Sequence, residues 1–152
     1  PALERKRITE VTRLLRRYTR NNKTVLLLRT IPGFGFVTAV TFFSEIMDID
    51  RFKTLPDLCC YIGLVPSSND SGDKQRGGEM SSLGNRHLRY VLVEAAWVAI
   101  RHDPDLLSSF SQFSRRMKKN KAIIKIARKL LNRMCVIWRN QIPYSSPAAL
   151  IN

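Results

Sequence analysis

The chain has 152 residues, of which 26 are Lys or Arg and 12 are Asp or Glu, giving a formal net charge of +14 and a sequence pI near 10.5. The hydrophobic fraction of 44% is ordinary for a globular protein, and the length is sufficient for the core of one domain, which excludes extensive disorder. A positive excess of this size indicates a polyanionic partner, nucleic acid above all. The apolar runs are too short to span a bilayer, so we expect no membrane partner.

The positive charge is concentrated at the two ends of the chain. Residues 1–29 carry nine basic and two acidic side chains, and residues 104–152 carry ten basic and one acidic. The intervening stretch is close to neutral. Apolar residues recur with a helical period at both ends, so the charges there are expected on the outer faces of amphipathic helices.

Taken in chain order, the apolar spacing predicts helices throughout. Thr54 is the expected N-cap of the fourth helix and Gly63 its stop, while His102, Asp103 and Pro104 interrupt the chain after the fifth. No segment shows the alternation of a strand, so the predicted fold is a compact all-α domain. The predicted helices cover about 2–20, 24–29, 37–47, 54–62, 85–101, 106–117 and 121–140.

Three cysteines, Cys59, Cys60 and Cys135, form no C-x-x-C pair and have no histidine at ligand spacing. An odd set of this kind supports neither a disulfide framework nor a zinc site, and it favours a reduced, cytoplasmic setting. The chain also begins at Pro1 within a helical pattern, which suggests a fragment of a longer protein.

The glycine-containing turn Ile31-Pro32-Gly33-Phe34-Gly35 lies between two predicted helices and has the form of a helix-hairpin-helix element. In such an element the backbone N–H groups at the start of the second helix can bind a DNA phosphate without reading sequence. A plain connector between packed helices fits the same residues, so Gly33 and Gly35 are candidate phosphate-binding positions with this alternative open.

A second candidate site is the long loop 66–84, which is rich in Ser and Gly and leads into the predicted fifth helix. Its Ser81 and Ser82 lie near cations and a helix N-terminus, where a serine nucleophile could attack a phosphodiester. The alternative is that one of these serines only caps the helix. The cations in and beside the loop are Lys74, Arg76, Arg86 and Arg89.

Neither the histidines nor the acids form a metal-binding pattern. His87 and His102 are fifteen positions apart with no ligand partners nearby, although His87 could contact a phosphate. The close acidic pairs, Asp48 with Asp50 and Asp103 with Asp105, stand at helix breaks where Asp is expected as a cap. We therefore expect no metal site on this chain.

Several motifs together resemble a known family, the C-terminal transposase-twenty domain of the insertion-sequence one-ten transposases. The resemblance covers roughly residues 25–140, with the motifs in the family's order. The residues that carry it are I-P-G-F-G-F-V-T-A, E-I-M-D-I-D-R-F, Y-I-G-L-V-P-S, K-Q-R-G-G, S-S-L-G-N-R-H-L-R and V-E-A-A-W-V-A-I-R-H-D-P.

The resemblance implies a DNA transposase in which this domain supplies a serine that attacks a DNA strand and forms a covalent phosphoserine link. By its place in the S-x-x-G-N motif that serine is Ser81; the next residue is usually basic in the family but is Ser82 here, which makes Ser82 a second candidate. Family members also have an N-terminal RuvC-like domain with four acids that bind Mg²⁺, and they use a structured non-coding RNA. A bacterial or archaeal protein associated with the nucleoid is implied.

These expectations divide the chain into the end of a helical linker (1–24), the serine domain (25–142) and a C-terminal tail (143–152). The stripe Ile8, Val11, Leu15 and Tyr18 of the linker could pair with a second chain, making a homo-oligomer, or pack on its own domain. The alternative function is a non-catalytic helix-hairpin-helix module. The expected nucleic-acid contacts are Gly33, Gly35, Lys74, Arg76, Asn85, Arg86, His87, Arg89, Lys125, Arg128 and Lys129.

Overall fold

The computed structural model describes residues 1–64 and 85–145, and every regular element within them is helical, which confirms the all-α prediction. A single 3₁₀ turn, Ile49–Arg51, was not predicted and follows the cap that Asp48 provides. The α-helices are α1 (Ala2–Thr19), α2 (Lys23–Leu28), α3 (Phe36–Ile46), α4 (Leu55–Ile62), α5 (Arg86–His102), α6 (Pro104–Ser114) and α7 (Lys119–Asn140).

Local side-chain caps explain where four of the described α-helices begin. Thr54 and Asp57 form a reciprocal capping box at the start of α4, and Gly63 ends that helix in the left-handed conformation at φ 82°. Asp103 accepts hydrogen bonds from the first backbone N–H groups of α6. Asn22 caps α2 by accepting a hydrogen bond from the Val25 N–H.

The core is organised around α5 and α7, which pack on each other, with α6 against both. On the other side of this pair, α2 packs on α7, α3 on α5, and α4 on both. Aromatic rings connect the layers, since Phe43 of α3 stacks on Trp138 of α7 with 5.9 Å between ring centroids. The side chains of α7 that are buried are Ala122, Ile123, Ile126, Ala127, Leu130, Leu131, Met134, Cys135, Ile137 and Trp138.

The first helix lies outside this core, because none of its residues is buried. Its apolar side chains are exposed, Ile8 at 66% and Tyr18 at 82%. The guanidinium of Arg16 stacks on the ring of Phe36 at the start of α3, 4.3 Å from its centroid. The apolar stripe of α1 is therefore not used in packing within the described residues.

A buried polar cluster ties the end of the chain to the helical body. Asp103 is only 2% exposed and accepts hydrogen bonds from Arg133 of α7 and from the Tyr144 hydroxyl. The Tyr144 backbone N–H donates to Thr30 Oγ1 at 2.8 Å, beside the turn that follows α2. Thus Tyr144, which the sequence assigned to a tail, packs against the core.

No helix in residues 1–64 and 85–145 is both long and apolar enough to cross a membrane.

Candidate nucleic-acid interface

The turn between α2 and α3 is shaped by close packing on the middle of α5. Gly33 has φ +84°, and a Cβ placed on it would lie 2.2 Å from the carbonyl oxygen of Ala95. The Phe34 N–H donates to the Ile31 carbonyl at 3.0 Å, and with Pro32 preceding Gly33 this is the signature of a type II turn. Gly33 is therefore explained by backbone conformation and by the approach of α5, without a ligand.

The second glycine of the turn, Gly35, is in a different situation. It is the exposed N-cap of α3 with an ordinary φ of −75°, and a Cβ on it would meet nothing within 4 Å. Among the described residues no side chain caps α3. The guanidinium of Arg29, like that of Arg16, lies over the ring of Phe36, so two cations flank the helix N-terminus. Positive charge at this end of a helix is unfavourable by itself and would be compensated by an anion.

The residues on either side of the segment that carries the candidate serines are both hydrogen-bonded to α4. The Leu64 N–H donates to the Cys59 carbonyl at 2.8 Å, and the Asn85 N–H donates to the Tyr61 carbonyl, also at 2.8 Å. The Asn85 side chain accepts from the Leu88 N–H and donates to Glu45 Oε2. Asn85, predicted to contact nucleic acid, thus caps α5 and holds it to α3.

Two of the predicted arginines converge at the same place. Arg89 of α5 donates to the Gly63 carbonyl and Arg128 of α7 donates to the Leu64 carbonyl, both at 3.4 Å. The two guanidinium groups therefore bind consecutive carbonyls immediately before residue 65. Cations are also favoured here by the negative end of the α4 dipole.

Of the other predicted nucleic-acid contacts in the described residues, two side chains are exposed to solvent and two contact α6. Arg86 and His87 are exposed in the first turn of α5. Lys129 donates to Ser109 at 2.7 Å, and the Lys125 ammonium lies 5.1 Å from the ring centroid of Phe113. Lys125 and Lys129 therefore belong to a surface shared with α6, separate from the carbonyls that Arg89 and Arg128 bind.

The candidate nucleophiles Ser81 and Ser82, with Lys74 and Arg76, lie outside the described residues. One alternative can still be corrected. The sequence left open that a serine of this segment caps α5, and that is wrong because Asn85 occupies the N-cap and accepts from Leu88 at 3.1 Å. The Asn85 cap could have been recognised from the sequence in the same way as the Thr54 cap. It was missed because Asn85 was assigned to nucleic-acid contacts.

Two thiols near this region are poor nucleophiles. Burial raises the pKa of Cys135 to about 11. Burial also raises the pKa of Cys59, although the positive charge of Arg128 lowers it in part. Both side chains are buried in the core and stay protonated near neutral pH. A hydroxyl nucleophile is therefore not in competition with either of these thiols.

Within residues 1–64 and 85–145, no three His, Cys, Asp or Glu side chains come together as a possible metal site. His87 and His102 are both exposed, at opposite ends of α5. Of the acidic pairs, Asp48 and Asp103 do cap the elements that follow them, as expected. The sequence did not indicate the second role of Asp103 as the buried partner of Arg133.

Sequence reasoning also missed a groove between α5 and the start of α7. It has a volume of about 410 Å³ and combines arginines with aromatic and aliphatic side chains. Arg86 and Arg89 were already candidates, whereas Tyr90 and Trp97 were not singled out in the sequence. The lining residues are Arg86, Arg89, Tyr90, Val93, Trp97, Asn120, Ile123 and Ile124.

The described residues thus form a strongly basic, all-helical domain with cations gathered around the start of α5. A sequence profile of the transposase IS116/IS110/IS902 family matches residues 25–112. This chain belongs to that family, as its motifs suggested. No solved structure matches it significantly.

Individual relatives agree with the family profile. The chain is 29% identical over 127 residues to the transposase for insertion sequence element IS1111A of Coxiella burnetii, covering 84% of this chain and 33% of the relative. It is 37% identical over 73 residues to the putative transposase y4qE of Sinorhizobium fredii, covering 48% and 19%. It is 26% identical over 121 residues to the insertion element IS110 uncharacterized 43.6 kDa protein of Streptomyces coelicolor, covering 79% and 30%. The chain spans at most about a third of the length of these relatives.

Proposed function

We propose that the chain is the DNA-binding catalytic domain of a transposase and that Ser81 is its nucleophile for strand cleavage and exchange. One observation carries this proposal most directly. Both ends of the segment that contains Ser81 are held at α4, where Arg89 and Arg128 converge and where α5 begins. A phosphodiester brought to this junction meets two guanidinium groups and a helix N-terminus.

The proposed step is a transesterification. The Ser81 hydroxyl oxygen attacks a DNA phosphorus, a phosphoserine bond forms, and the bond from phosphorus to one deoxyribose oxygen breaks. The hydroxyl proton of Ser81 leaves and a proton is gained by the departing strand's oxygen, so atoms and charge balance. One phosphoester bond replaces another, which lets the hydroxyl of a second strand reverse the step and join the new partner.

The arginines would bind and stabilise the reacting phosphate. Their bonds to the Gly63 and Leu64 carbonyls, at 3.4 Å, are at the long end for N–H···O hydrogen bonds. A charged phosphate oxygen is a stronger acceptor than a neutral carbonyl. Arg89 and Arg128 can therefore exchange these carbonyls for phosphate with a net gain, and Arg86, exposed one turn away, adds a third charge.

The proposal extends to the partners of the whole protein. The family resemblance implies Mg²⁺ on a separate acidic domain and a structured RNA guide. Within residues 1–64 and 85–145 no three His, Cys, Asp or Glu side chains come together, and the proposal places Mg²⁺ on that separate domain. The basic faces of α1 and α7 offer phosphate-binding surface for DNA or RNA, and the unburied apolar stripe of α1 suits a homo-oligomer.

A serine-to-alanine variant tests the nucleophile. In a transposase that contains this chain, Ser81→Ala removes the attacking oxygen and should reduce strand exchange by at least about a thousandfold, because nothing else replaces covalent attack. Strand exchange and phosphoserine-linked DNA are measured on denaturing gels with labelled DNA, and binding is measured separately. Ser82→Ala is the matched control and should retain activity. Full activity of Ser81→Ala with loss in Ser82→Ala would move the role to Ser82, and activity in both would end the proposal.

A second candidate function is the non-catalytic helix-hairpin-helix module, and one observation favours it. Gly35 has no packing reason to be glycine, it begins α3 without a side-chain cap, and Arg16 and Arg29 lie beside it. This arrangement suits phosphate binding that needs no serine. If it is the whole function, both serine variants keep full activity and only changes at the turn reduce DNA binding.

A further inference from the structure

The groove between α5 and α7 lies beside the proposed phosphate-binding arginines and differs from them in being lined largely by aromatic and aliphatic side chains. Its floor is aliphatic, with Ile123 buried and Val93 half-buried. Tyr90 and Trp97 of α5 contribute aromatic side chains to its lining, and Arg86 and Arg89 contribute cations. A volume of about 410 Å³ lies within the usual range for sites that enclose a small organic group.

The two aromatic side chains differ in exposure and in packing in a way that suits stacking. Trp97 is fixed from behind by Phe110, with 5.5 Å between ring centroids in an edge-on arrangement. Tyr90 is 65% exposed, so most of its side chain is accessible from solvent. An exposed aromatic beside a fixed one is a common platform for a flat heteroaromatic ring.

The polar groups around the groove fit a nucleotide. Among the described residues no acidic side chain lines it, and Arg86 has no hydrogen-bond or ion-pair partner there. Asn120, exposed in the first turn of α7, supplies both an amide donor and an acceptor that could meet the edge of a base. Cations, aromatic side chains and one amide are the components of single-strand recognition.

We propose that this groove binds an unstacked nucleobase of a single-stranded nucleic acid, with Tyr90 and Trp97 stacking on the base and Arg86 binding its phosphate. The proposal rests on the proposed function, since it places an unpaired nucleotide beside the arginines that hold the reacting phosphate. It adds that the strand is locally unpaired where it meets α5. A base within a duplex cannot reach these side chains, because its faces are covered by its neighbours.

The test compares two exposed tyrosines in the same chain. Tyr90→Ala removes the stacking face, and Tyr18→Ala on α1 removes a ring that is 82% exposed, against 65% for Tyr90, and lies outside the groove. The probes are a short single-stranded DNA, the same sequence as RNA, the corresponding DNA duplex, and a fully abasic strand of equal length. Affinity is measured by fluorescence anisotropy, and circular dichroism checks that each variant is folded.

We expect Tyr90→Ala to weaken single-strand binding about tenfold, Tyr90→Phe to retain it, and Tyr18→Ala to change it little. The abasic strand and the duplex should be insensitive to Tyr90. Bound single strands should quench tryptophan fluorescence, and Trp97→Phe should remove the quenching, because Trp138 is buried in the core. The tighter of the DNA and RNA probes identifies the source of the base.

Two results would overturn the inference in distinguishable ways. If the chain binds nucleic acid but Tyr90→Ala loses no more affinity than Tyr18→Ala, or the abasic strand binds as well as the others, the groove does not recognise a base and the proposed function stands. If neither single strands nor duplex bind at all, the inference and the DNA-binding part of the proposed function fail together.

Discussion

Gly33 and Gly35 are two residues apart in one turn, yet they are glycine for different reasons. Gly33 combines a positive φ with the approach of the Ala95 carbonyl, so no other residue fits. Gly35 meets neither constraint. A sequence pattern that treats both as one motif cannot separate the residue that builds the turn from the residue that leaves a helix N-terminus open.

Substitution should separate the two roles. Gly33→Ala should lower the free energy of unfolding by about 2–4 kcal/mol, from backbone strain and overpacking, while Gly35→Ala should cost less than about 1 kcal/mol. Gly35→Asp supplies a good N-cap and should fold well, but its negative charge should weaken DNA binding if α3 meets a phosphate. Urea denaturation and DNA affinity are the measurements, and unchanged affinity in Gly35→Asp would remove the turn from the interface.

Asp103 is a buried acid that stays charged. Burial alone would raise its pKa, but hydrogen bonds from Tyr144 and from the Leu106 and Asp105 N–H groups, with the charge of Arg133, hold it below the ordinary value of 3.8. Because the pKa is lower in the folded state than in the unfolded state, the carboxylate stabilises the fold above about pH 4. That contribution is lost as the pH falls through the folded-state pKa.

Acid titration should reveal this contribution. Asp103→Asn keeps the cap on α6 but removes the charge that faces Arg133, so it should lower the free energy of unfolding at pH 6 more than at pH 3. Glu94→Gln, at an exposed position of α5, is the control and should show no such difference. Equal losses for Asp103→Asn at both pH values would show that the carboxylate charge does not contribute.

At the scale of elements, helix positions were predictable because their signals are local. The Thr54 and Asp57 box and Gly63 act within one turn of their own sequence positions, and the predicted boundaries of α4 agree with the structure. The Asp103 cap is equally local, but α6 begins at Pro104 and ends at Ser114, two to three residues before the predicted limits of 106 and 117. The apolar stripe of α7 likewise predicted its buried face. The stripe of α1 looks the same in sequence, but none of its residues is buried. Periodicity shows that one face of a helix is apolar; it does not show what covers that face.

We expect α1 to mediate self-association through that stripe. Ile8→Asp combined with Val11→Asp places charge on its centre and should weaken association at least about tenfold, measured by sedimentation equilibrium. Leu107→Asp changes an exposed apolar residue of α6 and is the matched control. A chain that is monomeric at all accessible concentrations would refute this assignment of α1.

At the scale of the whole molecule, the net charge of +14 is arranged on surfaces that only the fold defines. Gly63 is 26 residues from Arg89, and Leu64 is 64 residues from Arg128, yet both carbonyls are bound by these side chains at one junction. The sequence could identify Arg89 and Arg128 as candidates. It could not place them together, or separate them from Lys125 and Lys129, because these meetings depend on how α4, α5 and α7 pack.

Because Lys125 and Lys129 lie apart from Arg89 and Arg128, their contribution to duplex binding can be tested separately through its salt dependence. Each phosphate contact steepens the dependence of log affinity on log salt by about 0.9. Lys125→Gln with Lys129→Gln should flatten the slope by about 1 per residue if the α6–α7 surface lies on DNA. Arg5→Gln with Arg7→Gln on α1 is a charge-matched comparison. An unchanged slope in the α7 variant would place the duplex elsewhere on the molecule.

The anchoring of residues 64 and 85 to the same short helix has a consequence for how such domains diversify. A connection whose two ends are fixed side by side can be lengthened at a closure cost of only about 0.6 kcal/mol for each doubling. The N–H groups of Leu64 and Asn85 donate to carbonyls of α4, so the anchoring bonds use no atom of residues 65–84. Insertions and deletions between these positions should therefore be tolerated by the helical body, leaving the sequence there free to be selected for chemistry.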